Sequence, residues 1–250
     1  DTITGVWKPK RYTGTYGTNG FYLNFSDNSG TTATTLGKDS SGNGNNWTPN
    51  NFSVTAGAGN DSMIDTPTPY ADGGNGRGNY CTLNPLYKLD AGTITFSNGN
   101  LEWSNSSGGA DGYFAGTQLI TAGKYYYEAT VSAVGQGVLI GVSKASNIYT
   151  IGNYGSYRDT GAIYDLNGNT QTVGNTYTSN DVIGVAIDVS AGTGQFYKNN
   201  VAQGATPSFT FTSGTPLVVA GRANGNGASL VFNFGQRAFA YTPPSGFLAL

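Results

Sequence analysis

This 250-residue chain carries 14 carboxylates and one thiol, Cys81, among the groups that could do covalent or acid–base chemistry; there is no histidine. Without His there is no Ser-His-Asp or Cys-His relay and no His-based zinc site. The commonest general base near neutral pH is missing too. Glycoside hydrolysis would need two carboxylates flanking a scissile bond, drawn here from Glu102, Glu128 and the aspartates. Glu128 lies inside a predicted strand, and Asp165, Asp181 and Asp188 lie at predicted strand ends, where Asp usually closes turns. No pair stands out by position, so the expectation is a protein without catalytic residues, and a glycan-active hydrolase ranks third among the readings. A single cysteine cannot form an intrachain disulfide; beside Tyr80 and Leu83 it reads as a small buried hydrophobe.

Binding chemistry has two candidates. The run Asp39-Ser40-Ser41-Gly42-Asn43-Gly44-Asn45 places oxygen side chains at alternate positions, as calcium loops do. It lacks spaced acids and a bidentate Glu, and Asx-turns built from Asp39, Asn43 and Asn45 account for it equally well. No metal site is therefore assigned. The segment Ile148–Arg158 (IYTIGNYGSYR) carries Tyr149, Asn153, Tyr154, Tyr157 and Arg158 between two predicted strands. On a loop these rings and donors would make a ligand surface, stacking on sugar faces while Asn bonds hydroxyls. The alternative is that the tyrosines pack the segment onto the body of the protein. Gly-rich runs at 73–78 and 135–137 precede no helical pattern, so neither cradles a nucleotide, and no cofactor is implied.

Elements that could position such groups are strands. Charged residues are only 10% of the chain, while Gly alone supplies 39 positions. Yet 37% is hydrophobic and 13% aromatic, enough to bury a core. Only two Glu and few Ala/Leu-rich stretches leave long helices unsupported. Strands are predicted at Thr93–Phe96, Leu101–Trp103, Lys124–Val134, Gly137–Ser143, Gly161–Asp165, Asp181–Asp188, Gly194–Lys198, Ser208–Phe211, Pro216–Gly221 and Ala228–Phe234. Hairpin signals fall at Asn98-Gly99 and Asn199-Asn200. The spacing predicts an all-β antiparallel sandwich, with Tyr126, Val131, Ile140, Val142, Val185, Ile187, Phe196, Val219, Val231 and Phe234 in its core. Residues 1–79 read as a loop-rich N-terminal extension containing one candidate strand, Phe21–Ser26. Trp7, Phe21, Leu23, Phe25, Trp47 and Phe52 would anchor it along the sandwich or a neighbouring chain, because it has too few apolar residues to close a core alone. The pI near 4.9 and the lack of a basic cluster beyond Lys8, Lys10 and Arg11 argue against nucleic acid. No apolar run is long enough to cross a membrane as a helix.

Gly123–Glu128 (GKYYYE), Ile140–Ser143 (IGVS), Asp181–Asp188 (DVIGVAID), Gly194–Val201 (GQFYKNNV) and Phe232–Gln236 (FNFGQ) occur in the order found in the SPRY domain, which the region 80–250 resembles. The resemblance implies a concanavalin-like two-sheet sandwich that binds partners through loops at one end and has no catalytic chemistry. Asn200 stands where the family usually has Gly.

The flanks add a narrower likeness. Thr4–Lys10 (TGVWKPK), Gly17–Leu23 (GTNGFYL), Ser41–Trp47 (SGNGNNW) and Phe239–Pro244 (FAYTPP) resemble virion fibre or appendage proteins of tailed phages. There the block follows a laminin-G-like domain, so an upstream domain missing from this sequence is expected; the start at Asp1, without Met or signal peptide, fits such a fragment or a processed product. The resemblance implies a virion (extracellular particle) location and a role in a fibre, an appendage or capsid decoration. The partners it implies are other virion proteins, copies of the same chain in a homo-oligomer, and host-surface polysaccharide. A stand-alone SPRY-type protein-binding module is the alternative.

Overall fold

The computed structural model describes residues 12–54, 80–87, 93–106, 108–147, 154–224 and 227–250. They divide into two compact units, one holding residues 12–54 and the other Tyr80–Gly235 with Phe239–Leu250. Among the described residues no helix is long and apolar enough to cross a membrane.

The second unit is all-β. In chain order its strands are β1 Ile94–Ser97, β2 Glu102–Asn105, β3 Asp111–Ala115, β4 Lys124–Ala133, β5 Gln136–Lys144, β6 Tyr154–Arg158, β7 Ala162–Tyr164, β8 Thr170–Val173, β9 Val182–Asp188, β10 Thr193–Lys198, β11 Val201–Gln203, β12 Phe209–Thr210, β13 Leu217–Asn224, β14 Ala228–Asn233 and β15 Leu248–Ala249. One sheet runs β1-β2-β14-β4-β9-β10-β11, with β12 on β10 and β15 parallel to β4; the other runs β3-β13-β5-β6-β7-β8. Apart from β15, every pairing is antiparallel. The apolar run of β9 sits between β4 and β10, an interior position of its sheet as its composition requires. Both hairpin signals hold: Asn98, Gly99 and Asn100 have positive φ between β1 and β2, and Asn199 and Asn200 have φ of 48° and 68° between β10 and β11. Asn tolerates that region, so the turn forms without a glycine at position 200.

Alternation along each strand sends one set of side chains between the sheets. Trp103, Phe114, Phe232 and Phe234 stack in series with centroid separations of 5.0–5.7 Å, and Tyr127 lies 5.5 Å from Phe234. A second series runs Tyr177, Tyr157, Phe196, Phe209 at 5.0–5.8 Å. Val131, Ile140, Val142, Val185, Ile187, Phe196, Val219 and Phe234 lie in this core as expected. Two expected core residues do not. Val231 is only half-buried, because the inward phase of β14 is Ala228, Leu230, Phe232. Tyr126 is buried on the outer face instead: its ring lies over Gly184, where a β-carbon would meet the ring, and edge-on to Phe239 at 5.1 Å. Phe209 occupies a slot between Gly155 and Gly194, each of which would drive a β-carbon into the ring.

The first unit has little regular structure. The predicted strand Phe21–Ser26 does not form; Leu23 makes a single antiparallel bridge to Asp39, and Phe25, at φ 51°, breaks the extended run. Its one buried hydrophobic residue is Leu36, among the described positions. Phe21 and Trp47 pack on each other at 4.8 Å, and both are exposed, as are Phe25 and Phe52, so these expected anchors are not buried. Trp7 lies outside the described residues.

Candidate functional site

The predicted ligand segment does not form a surface loop where it is described. Tyr154–Arg158 is strand β6, paired with β5 on one side and β7 on the other. Tyr157 is fully buried, its hydroxyl donating to the carbonyl of Asn175 and contacting Gln203 Oε1 at 3.2 Å. Burial, then the charge of Asp181, pushes this phenol up to about 12. Tyr154 points to the opposite side and is buried in a small cluster with Tyr87, Tyr113, Ala115 and Ala220. Neither ring can offer a face to a ligand. Arg158 stays half-buried, 3.7 Å from Asp159. Tyr149 and Asn153 lie outside the described residues. The glycine in Tyr154-Gly155-Ser156, which reads as a turn former, instead makes room for Phe209.

Asp39 organises the first unit. Its Oδ1 accepts the amides of Tyr22 and Ser41, both at 2.8 Å; its Oδ2 accepts the Ser41 hydroxyl at 2.8 Å and the Asn45 amide at 2.9 Å. Burial raises the carboxyl's pKa, but these donors outweigh it and hold it at about 2. Asn43 and Asn45 point amide hydrogens, not oxygens, inward: Asn43 Nδ2 donates to Gly17 and Gly20 carbonyls, and Asn45 Nδ2 to those of Thr18 and Gly20. Four donors converge on the carboxylate, so the three residues form an Asx-turn cage with no oxygen set for calcium.

The other named carboxylates are similarly committed. Glu128, outward on β4, is 3% exposed and accepts the Tyr126 hydroxyl and the amides of Ala240 and Tyr241. Burial raises its pKa, while those two amides and the phenol pull it back only in part. Asp165 accepts the amides of Asn167 and Asn169 and closes the β7–β8 turn. Asp181 bonds the Thr178 amide and Asn199, and pairs with Lys198 at 3.2 Å. Asp188 bonds the Ala191 amide and pairs with Lys124 at 3.1 Å. Glu102 takes Ser97 and Asn98 of its own hairpin. Cys81 is fully buried, and burial raises its thiol.

A site absent from the sequence expectations lies in the first unit. Residues 12–18 with Ser41 and Asn43 line an open cleft of about 870 Å³. Tyr12, 59% exposed, stands edge-on to Tyr16 at 5.2 Å, and Tyr16 stacks on Tyr22 at 6.0 Å. The Asn43 bonds to Gly17 and Gly20 fix the wall of this cleft against the Asp39 cage. Tyr-Thr-Gly-Thr-Tyr-Gly reads as turn chemistry; two tyrosines four apart among hydroxyls, with no charge between them, were the available signal.

Two antiparallel sheets closed over an aromatic core define a concanavalin-like β-sandwich. Within that class residues 124–237 match the family model of the SPRY domain. Similar solved structures include the SPRY domain of human HERC1, 23% identical with a TM-score of 0.47, covering 56% of this chain and 91% of that one. Stonustoxin is 19% identical with a TM-score of 0.46, over 62% of this chain and 27% of that one. No curated protein matches the chain.

Proposed function

We propose that this chain is a non-enzymatic structural protein of a tailed-phage virion: a fibre, appendage or capsid-decorating subunit that contacts other virion proteins and host-surface glycans. The observation that carries the reading is the place of the Ser41–Trp47 block, one of the segments that resemble appendage proteins. Its Ser41 and Asn45 close the cage around Asp39, and its Asn43 ties that cage to Gly17 and Gly20 of a second such block. The resembling residues are thus the ones that shape the first unit. A non-catalytic role is supported by the carboxylates named above, each engaged by donors that a general acid or base would have to shed. A weakly charged exterior rich in Ser, Thr, Asn and Gly suits lateral packing between identical subunits. Immunogold labelling of intact phage particles with an antibody to the purified chain tests the reading: labelled particles are expected, and uniformly unlabelled ones overturn it. The SPRY match itself favours a second reading, a stand-alone protein-binding module; unlabelled particles together with a stoichiometric protein partner would establish it.

A further inference from the structure

We propose that the cleft formed by residues 12–18 with Ser41 and Asn43 is a binding site for a neutral oligosaccharide. The inference rests on reading the chain as a non-enzymatic, glycan-contacting protein, and moves the contact from the buried Tyr154–Arg158 strand to the first unit. Sugar rings pair an apolar C–H face with a rim of hydroxyls, so a receptor needs a presented aromatic ring beside uncharged donors and acceptors. Tyr12 supplies the ring: it is 59% exposed yet braced edge-on by Tyr16, so little conformational freedom is lost on contact. Asn43 supplies a fixed acceptor. Both bonds of its Nδ2 go to the backbone, to Gly17 and to Gly20 at 2.8 Å, which orients the carboxamide and leaves Oδ1 without a donor among the described residues. Among the described residues no Lys, Arg, Asp or Glu lines the cleft, and the nearby Asp39 has both oxygens covered by donors. A sulfated or uronic glycan would find no counter-charge among those residues, whereas a neutral one loses nothing by that.

Titration calorimetry on the full chain with cellohexaose, maltohexaose, mannohexaose, a heparin hexasaccharide and a proline-rich decapeptide tests the assignment. At least one neutral hexasaccharide should bind. Tyr12→Ala should then weaken it roughly tenfold or more, while Tyr12→Phe, which keeps the ring, changes it little. The thermal midpoint of both variants should stay at the wild-type value, since the side chain is largely exposed. Absence of binding to all three neutral sugars at millimolar concentration overturns the proposal. So does undiminished binding by Tyr12→Ala, or preference for heparin or the peptide. Labelled virions with no sugar binding sink this inference alone; sugar binding with unlabelled virions sinks the virion reading and leaves the cleft assignment standing.

Discussion

Replacing Tyr157 separates packing from ligand contact on strand β6. The ring is fully buried between Tyr177 and Phe196, at 5.0 and 5.8 Å. Tyr157→Ala removes it from a tight aromatic series, and large-aromatic truncations of this kind cost about 3–5 kcal/mol. Tyr157→Phe keeps the ring and deletes only the hydroxyl. The Asn175 carbonyl then loses its donor, whereas Gln203 Oε1 keeps the Asn175 amide at 2.8 Å. Asn175 is itself exposed and the bond only part-buried, so water can replace the donor and the loss is that of one net hydrogen bond, about 0.5–1.5 kcal/mol. With a urea m-value of roughly 2 kcal/mol/M, the Phe variant should unfold about 0.25–0.75 M earlier. The Ala variant should shift by about 1.5–2.5 M, or fail to fold if the wild type sits at the low end of ordinary stability. Equilibrium urea unfolding followed by far-UV circular dichroism measures both, and glycan or particle attachment by the folded Phe variant should equal wild type. If both variants unfold at the wild-type midpoint and attachment falls, the strand assignment is wrong and the tyrosines serve a surface.

Gly194→Ala should destabilise the sandwich by about 1–3 kcal/mol, because its β-carbon meets the Phe209 ring in a filled core; thermal melts of the purified variant read this directly. Glu128, with its folded pKa raised by burial, binds more protons folded than unfolded just above its ordinary value. Its contribution to stability should therefore fall as pH rises from that value through the raised one; chemical unfolding of wild type against Glu128→Gln across pH 4–8 should show a pH-dependent difference, and a flat one contradicts the assignment. For Asp39 the sign reverses: its pKa is depressed to about 2, so the cage should be intact above the ordinary carboxylate range and loosen as pH falls toward that value. Amide NMR shifts of Tyr22, Ser41 and Asn45 moving together in that acid window would report it; shifts complete by pH 4 would not fit.

Strands with a mostly apolar or alternating run and hairpins with an Asn-led turn were legible before any coordinates: β4, β9, β10 and both hairpins fall where predicted, although the inward ring of β4 is Tyr127 and not the expected Tyr126. Two of the missed strands share a cause. In β3 (DGYFA) and β6 (YGSYR) a glycine sits at an interior position because a partner ring or chain needs its space: Asn105 beside Gly112, and Phe209 beside Gly155. Sequence patterning scores such glycines as turns. The phase of β14 was misjudged by one residue because Leu230, Val231 and Phe232 are all apolar, and only pairing with β4 decides which face is inward. At the Asp39 loop the residue types were right for either a cation or a turn; hydrogen direction, invisible in sequence, decides between them. The Tyr12 cleft escaped because Asn43 reaches it from outside its own stretch of chain.

The topology has a consequence for the order in which the protein can be made. β14 fills the gap between β2 and β4, and β13 fills the gap between β3 and β5. Both inserts are encoded after every strand they separate, with Ala228 pairing back to Asn105 and Ala223 to Gly112. Until they emerge from the ribosome, four strands present open backbone edges and the aromatic series lacks Phe232 and Phe234. Loop closure over such separations is slow, and open edges are templates for pairing with another chain. A nascent chain of this design therefore keeps those edges open to its neighbours until β13 and β14 slot in.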